Sequence, residues 1–173
     1  MKTHQSNGQA GFTLIELLIG IVIIALLVAL ALPDLRTMLL NTKTRNAAES
    51  IQTGLQKARA EAVARNTNIA FTMGANSAWT INVVNPASVI ESRSANDGSS
   101  NVAVVIAGGT TITFNSLGTV GIPNFQPNNA DGTPPLSQVD LTIPYGDKPY
   151  RIVIGAGGSS KMCQPGGYGL SAC

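Results

Sequence analysis

Apolar side chains fill nearly every position from Phe12 to Leu32, then recur every three or four residues as far as Ala62, and after that alternate with polar ones in short bursts. Each regime predicts a different kind of structure. The first is 21 residues long with Glu16 as its sole charge. As a helix rising 1.5 Å per residue it measures about 30 Å, enough to cross a hydrocarbon core. Pro33 follows; it lacks an N–H and clashes with the preceding turn, so a bend or loosened segment is expected around Ala29 to Pro33. Beyond it the chain reads as helix to about Arg65 without another proline. Ala48, Ile51, Leu55, Ala58 and Ala62 trace one apolar stripe there. Several of them are small, which allows close approach to a sheet. Unbent, a helix from Phe12 to Arg65 would run roughly 80 Å.

The third regime predicts strands at Asn68–Met73, Ala78–Val84, Val102–Ala107, Thr110–Asn115, Val139–Ile143 and Tyr150–Ile154, separated by turn-rich spacers such as SANDGSSN and PYGDKP. The stretch from Gly121 to Gln138 is rich in Pro, Asn and Gly and reads as a long exposed loop. An antiparallel sheet packed on the apolar stripe of a long N-terminal helix is an α+β arrangement.

Charge is sparse. Asp, Glu, Lys and Arg make up 12% of the 173 residues, about half the usual share, and the net charge of +2 points to no particular partner. Six of the eleven basic residues fall between Arg36 and Arg65, where they serve either a solvated face or contact with lipid heads or neighbouring subunits. Glu61 and Arg65 have the i,i+4 spacing of a favourable pair. Lys2, His4 and the α-amino group precede the apolar run with no acid among them, so the positive-inside rule places the N-terminus in the cytoplasm and the rest outside the inner membrane. Both cysteines, Cys163 and Cys173, lie in the last eleven residues, a pattern of one disulfide made in an oxidising compartment.

Catalytic chemistry finds no support. The sole histidine, His4, lies ahead of the apolar run, so no Ser-His-Asp or Cys-His site can form beyond it. The Gly-rich GAGGSS lacks the Lys-Ser/Thr ending of a phosphate loop. Asp131, Asp140 and Asp147 lack calcium-loop spacing. No cofactor or metal is expected.

Glu16 is the anomaly. A carboxylate in an apolar span costs a few kcal/mol, roughly 2.5–3.5 on insertion scales for charges at the centre. A plain signal anchor has no use for it, and no small-x-small site precedes a polar stretch after the run. Cleavage ahead of the run would instead leave a new α-amino group on Phe12, one turn from Glu16, as partner to the acid on the same or a neighbouring chain. Such a pairing would also set register in an assembly.

The stretch GFTLIELLIGIVIIALLVALALP resembles the class III signal of type IV pilins and type II secretion pseudopilins, with Gly11, Phe12, Thr13, Leu14, Ile15 and Glu16 all matching. The resemblance implies cleavage between Gly11 and Phe12 by a prepilin peptidase, N-methylation of Phe12, assembly through Glu16, and a kinked or melted helix near Pro33. It thereby implies a leader at residues 1–11, a transmembrane and filament-core helix at 12–33, an amphipathic periplasmic helix at 34–66 and a β-rich head at 67–173. The implied partners are other pilins or pseudopilins, the prepilin peptidase and N-methyltransferase, and an inner-membrane assembly platform.

The C-terminal stretch YRIVIGAGGSSKMCQPGGYGLSAC, with its late cysteine pair, is similar to FimT/FimU-type minor pilins; GspH-type pseudopilins are their close relatives by fold. The disulfide would close a loop of about ten residues, adding about 2–3 kcal/mol in the chain-entropy model. Some FimT-type proteins carry a basic Gly-Arg-x-Arg segment implicated in DNA binding. Gly158, Ser159, Ser160 and Lys161 occupy that place here, leaving Lys161 as a point charge without an arginine fork. With Arg151 and Lys148 nearby in sequence, the few cations imply weak DNA contact at best.

Overall fold

The computed structural model describes residues 11–120, 129, 131–155, 157–166 and 173, the side chains of Ala31 and Pro33 excepted. Lys2, His4 and half of the expected 121–138 loop lie outside the described residues. Among the described residues one helix, α1 (Leu14–Arg65), is followed by eight strands, and the chain divides after Arg36 into two compact units.

In the first unit α1 begins at a polar cap. The Thr13 carbonyl accepts the Leu17 N–H at 3.2 Å, and Thr13 Oγ1 accepts the Glu16 N–H at 3.3 Å. A threonine in the N-cap position satisfies a donor that the first turn cannot. The large apolar side chains from Phe12 to Leu32 are all exposed, between 44% and 83%. Among the described residues, nothing in the chain covers these large apolar side chains. The helix continues through Pro33, although proline chemistry denies the carbonyl four residues earlier its usual donor.

In the second unit the apolar stripe is buried. Ala47, Ala48, Ile51, Leu55, Ala58 and Ala62 are at most 1% exposed. The helix stops where Asn66 adopts φ +50°, with Thr67 N–H donating to the Ala62 carbonyl and Asn66 N–H to that of Val63. That is the Schellman closure. The expected Glu61–Arg65 pair forms at 2.6 Å.

The strands are β1 (Ile69–Met73), β2 (Trp79–Val83), β3 (Ser88–Arg93), β4 (Ala103–Gly108), β5 (Thr111–Phe114), β6 (Leu136–Thr142), β7 (Tyr150–Ile154) and β8 (Ser160–Cys163). They form two four-stranded antiparallel sheets, ordered β3-β2-β1-β5 and β4-β6-β7-β8. The expectation of one sheet is thus corrected to two. They share one core with the helix stripe: Phe71, Ile81 and Ile112 from the first sheet, and Val139, Leu141 and Ile152 from the second, are essentially inaccessible.

β3 and β8 are additional to the expected strands: unlike the other two edge strands, β4 and β5, they lack a run of three β-branched residues. SVIESR buries no side chain fully and SKMC buries only Cys163. The expected loop also ends earlier than Gln138, since β6 starts at Leu136. Within it Asn129 is buried rather than exposed. Its Oδ1 accepts the Thr113 N–H at 2.9 Å and its Nδ2 donates to the Thr111 carbonyl at 3.0 Å, so it occupies hydrogen-bonding positions along β5.

Among the glycines whose backbone leaves no room for a side chain, two shape the head. A Cβ on Gly54 would lie 2.8 Å from Phe71 Cε2 and 3.2 Å from the Trp79 ring, so only a bare backbone brings α1 this close to the first sheet. Gly108 has φ +82° beside the irregularity between β4 and β6, and a Cβ there would lie 2.3 Å from the Pro135 carbonyl oxygen. Polar ties complete the attachment of helix to sheet. Trp79 Nε1 donates to Ser50 Oγ at 2.9 Å, Arg59 Nε donates to the Gly118 carbonyl at 2.8 Å, and Lys57 pairs with Glu91 of β3. The Glu91 contact holds the Lys57 amine above its ordinary pKa.

Candidate functional site

Gly11, Phe12 and Thr13 precede the first helical residue and all three are exposed. The Gly11–Phe12 peptide therefore lies in non-helical backbone, the form a protease can bind extended, with the helix starting two residues later. Glu16 occupies the third helical position, and its own N–H is held by Thr13. Thr-x-x-Glu is the capping-box pattern, and an acid in the first turn is favoured by the helix dipole. Among the described residues no cation pairs with the Glu16 carboxylate. The T-x-x-E spacing could have revealed this local role from sequence; it explains a carboxylate at this height, though not its retention beside fifteen or so lipid-like side chains.

At the other end of the chain, Cys163 closes β8 and is bonded to Cys173, ten residues later, with Cα atoms 5.3 Å apart. Cys163 is 1% exposed. Replacing Cys173 by serine should lower the unfolding free energy by about 2–3 kcal/mol, from the loop-closure entropy returned to the unfolded chain. Urea titration of both proteins under oxidising conditions checks this; a difference below about 0.5 kcal/mol would remove any structural role for the bridge.

The three cations considered for nucleic acid are unequal. Arg151 Nε and Nη2 reach the two Asp140 oxygens at 2.5 and 3.1 Å, and that hydrogen bonding raises the arginine above its ordinary pKa. Its fork is thus occupied within the protein. Lys161 is exposed and stands opposite Val153 on β7, so it shares the outer face of the second sheet with Arg151. Lys148 lies elsewhere, in the loop between β6 and β7, where its backbone N–H donates to Asn41 Oδ1 of α1. Sequence reasoning did not anticipate this Asn41 clasp, because its partners are more than a hundred residues apart.

Residues 47–158 match the family described as type II transport protein GspH. Residues 6–32 match the prokaryotic N-terminal methylation motif. Two crystal structures of the type IV minor pilin FimU from Pseudomonas aeruginosa PAO1 are similar in fold. One, in space group P65, is 18% identical, with 70% of this chain and 97% of that chain covered at a TM-score of 0.50. The other, in space group P21, is 19% identical, with 72% and 94% covered at 0.52. No curated protein matches the chain. With the head matched over more than half of the sequence and the methylation motif lying on the apolar rod ahead of it, the chain belongs to the GspH family and shares the fold of those two pilin structures.

Proposed function

We propose that the protein is a non-enzymatic minor subunit of a type IV pilus that primes assembly or sits near the tip. The observation that carries this is the wholly exposed apolar rod, which needs lipid or neighbouring rods to cover it and bears a lone acid one turn from the Gly11–Phe12 peptide. In this reading residues 1–11 are removed by a prepilin peptidase, and Phe12 is N-methylated. The subunit waits in the inner membrane with its N-terminus cytoplasmic and its head periplasmic, and an assembly platform draws it into the filament. Glu16 meets the Phe12 amine of a neighbour, and the segment near Pro33 loosens as the rods bundle.

The family match favours a second reading, a GspH-type pseudopilin of a type II secretion system. Deletion of the gene separates the two. Loss of surface pili and twitching with normal exoprotein release supports the pilus reading. Folded exoproteins stranded in the periplasm of still-twitching cells assigns the chain to secretion. A DNA-receptor role draws little support, since of the three cations considered for it Arg151 is occupied by Asp140, which leaves Lys148 and Lys161.

A further inference from the structure

The loop between β6 and β7 carries an unusual residue at its tip. Gly146 N–H donates to the Ile143 carbonyl at 3.0 Å, which closes a four-residue turn with Pro144 and Tyr145 at its centre. Tyr145 has φ +65° and is 93% exposed. Positive φ after proline is the type II pattern, whose third position normally goes to glycine or asparagine. Here an aromatic ring is held there in solvent.

The loop is fastened to the start of the second unit. Asp147 and Lys148 N–H both donate to Asn41 Oδ1 at 3.2 Å, and Asn41 Nδ2 donates to Asp147 Oδ1 at 2.5 Å. On α1 beside Asn41, Met38 and Leu39 are exposed at 66% and 56%. Met38 is six residues beyond Leu32, where the apolar run ends, and six residues reach no further than about 20 Å even fully extended. The exposed apolar surface thus continues along the chain to the foot of this loop.

Cations without an ion pair among the described residues occur elsewhere too, at Arg59, Arg93 and Lys161, but two of them lie at this loop. Arg45, Lys57, Arg65 and Arg151 are each paired with a carboxylate. Lys43 and Lys148, which flank the clasp, have no carboxylate partner among the described residues. Asp147 offsets one of these two charges. Exposed tyrosine, thinning apolar side chains and unpaired lysines next to a membrane span are the composition of a lipid–water interface.

We infer that Met38, Leu39, Lys43, Tyr145 and Lys148 form a collar that rests on the phospholipid headgroup layer before the subunit enters a filament. Tyr145 seats among the headgroups, and the two lysines meet lipid phosphates. The inference rests on the apolar run spanning the membrane, and it adds which surface of the head faces the bilayer.

The test uses the full chain in nanodiscs of phosphatidylethanolamine and phosphatidylglycerol, one copy per disc. Tyr145→Trp places a reporter in the collar. Leu117→Trp is the control, at an exposed site beside Gly118, whose carbonyl binds Arg59 eighteen residues along α1 from Asn41, about 27 Å away. Buried Trp79 supplies a background that the parent chain measures. Lipids brominated near the glycerol end of the acyl chain should quench the Tyr145→Trp signal severalfold more than that of Leu117→Trp. Adding Lys43→Glu and Lys148→Glu should weaken the quenching. Equal quenching at both sites would overturn the collar, as would a blue shift of the Tyr145→Trp emission without quenching, since protein and not lipid would then cover the loop. Flotation with vesicles tests the anchor separately: a chain that fails to float refutes the membrane span itself, whereas one that floats with an unquenched reporter refutes only the collar.

Discussion

Replacing Glu16 by alanine is expected to leave the protein cleaved and membrane-bound but absent from filaments. In the proposed reading the peptidase would act at the Gly11–Phe12 peptide, which lies ahead of the first helical residue, Leu14, and four residues before Glu16. Incorporation is different. In a bundle of apolar rods the packing surfaces slide easily past one another, because hydrophobic contact has no direction. A carboxylate meeting an α-amino group supplies the direction, and the penalty for leaving either unpaired in an apolar bundle enforces the register. The competing explanation is that Glu16 merely completes the helix cap begun by Thr13. Glu16→Gln separates the two, because glutamine serves a capping box as well as glutamate but carries no charge. Immunoblots of sheared surface filaments and of membranes would measure both variants. Normal incorporation of the glutamine variant would remove the electrostatic role.

Phe71→Ala should be the most damaging single change in the head, at about 3–5 kcal/mol, the usual range for a buried phenylalanine. Phe71 is inaccessible and sits at the centre of β1, paired with Ile81 on one side and Ile112 on the other. Its ring lies 5.6 Å from that of Trp79, and Gly54 of the helix approaches its edge. The site cannot collapse easily, because Gly54 has no side chain to fill it and both neighbouring strands are held by ladder hydrogen bonds. Trp79 is the chain's sole tryptophan, so its fluorescence during urea unfolding reports on this contact directly. A loss under about 1 kcal/mol would mean that helix and sheet repack without the ring.

Regular burial left its mark in the sequence, and pairing did not. The stripe from Ala48 to Ala62 was legible because a helix face turned to one core must repeat every three or four residues, and all five of its positions are buried. β1, β2 and β7 were legible for the analogous reason, since their alternate side chains enter that core. β3 and β8 were not: SVIESR has two adjacent β-branched residues and SKMC none, whereas the edge strands β4 and β5 carry three in a row. Local composition likewise hid Asn129, whose polar side chain in a Pro- and Asn-rich stretch reads as solvated until its bonds to Thr111 and Thr113 are seen.

The candidate site divides along similar lines. The Gly11–Phe12 junction, Glu16 and the Cys163–Cys173 pair were visible as local patterns, since each depends on residues within about a turn or a short tail of one another. Arg151 illustrates the opposite case. By composition it is a free cation, yet folding places Asp140 against it from the neighbouring strand.

The order of residues alone determined an apolar rod, a lone acid near its start and an α+β head, because periodicity and chain neighbourhood carry that information. Tertiary structure decided that the strands divide into two sheets, that Asn41 clasps a loop over a hundred residues away, and which cations are already paired. Those outcomes depend on which distant side chains meet, and no local spacing encodes a contact between segments that come together only when the core closes.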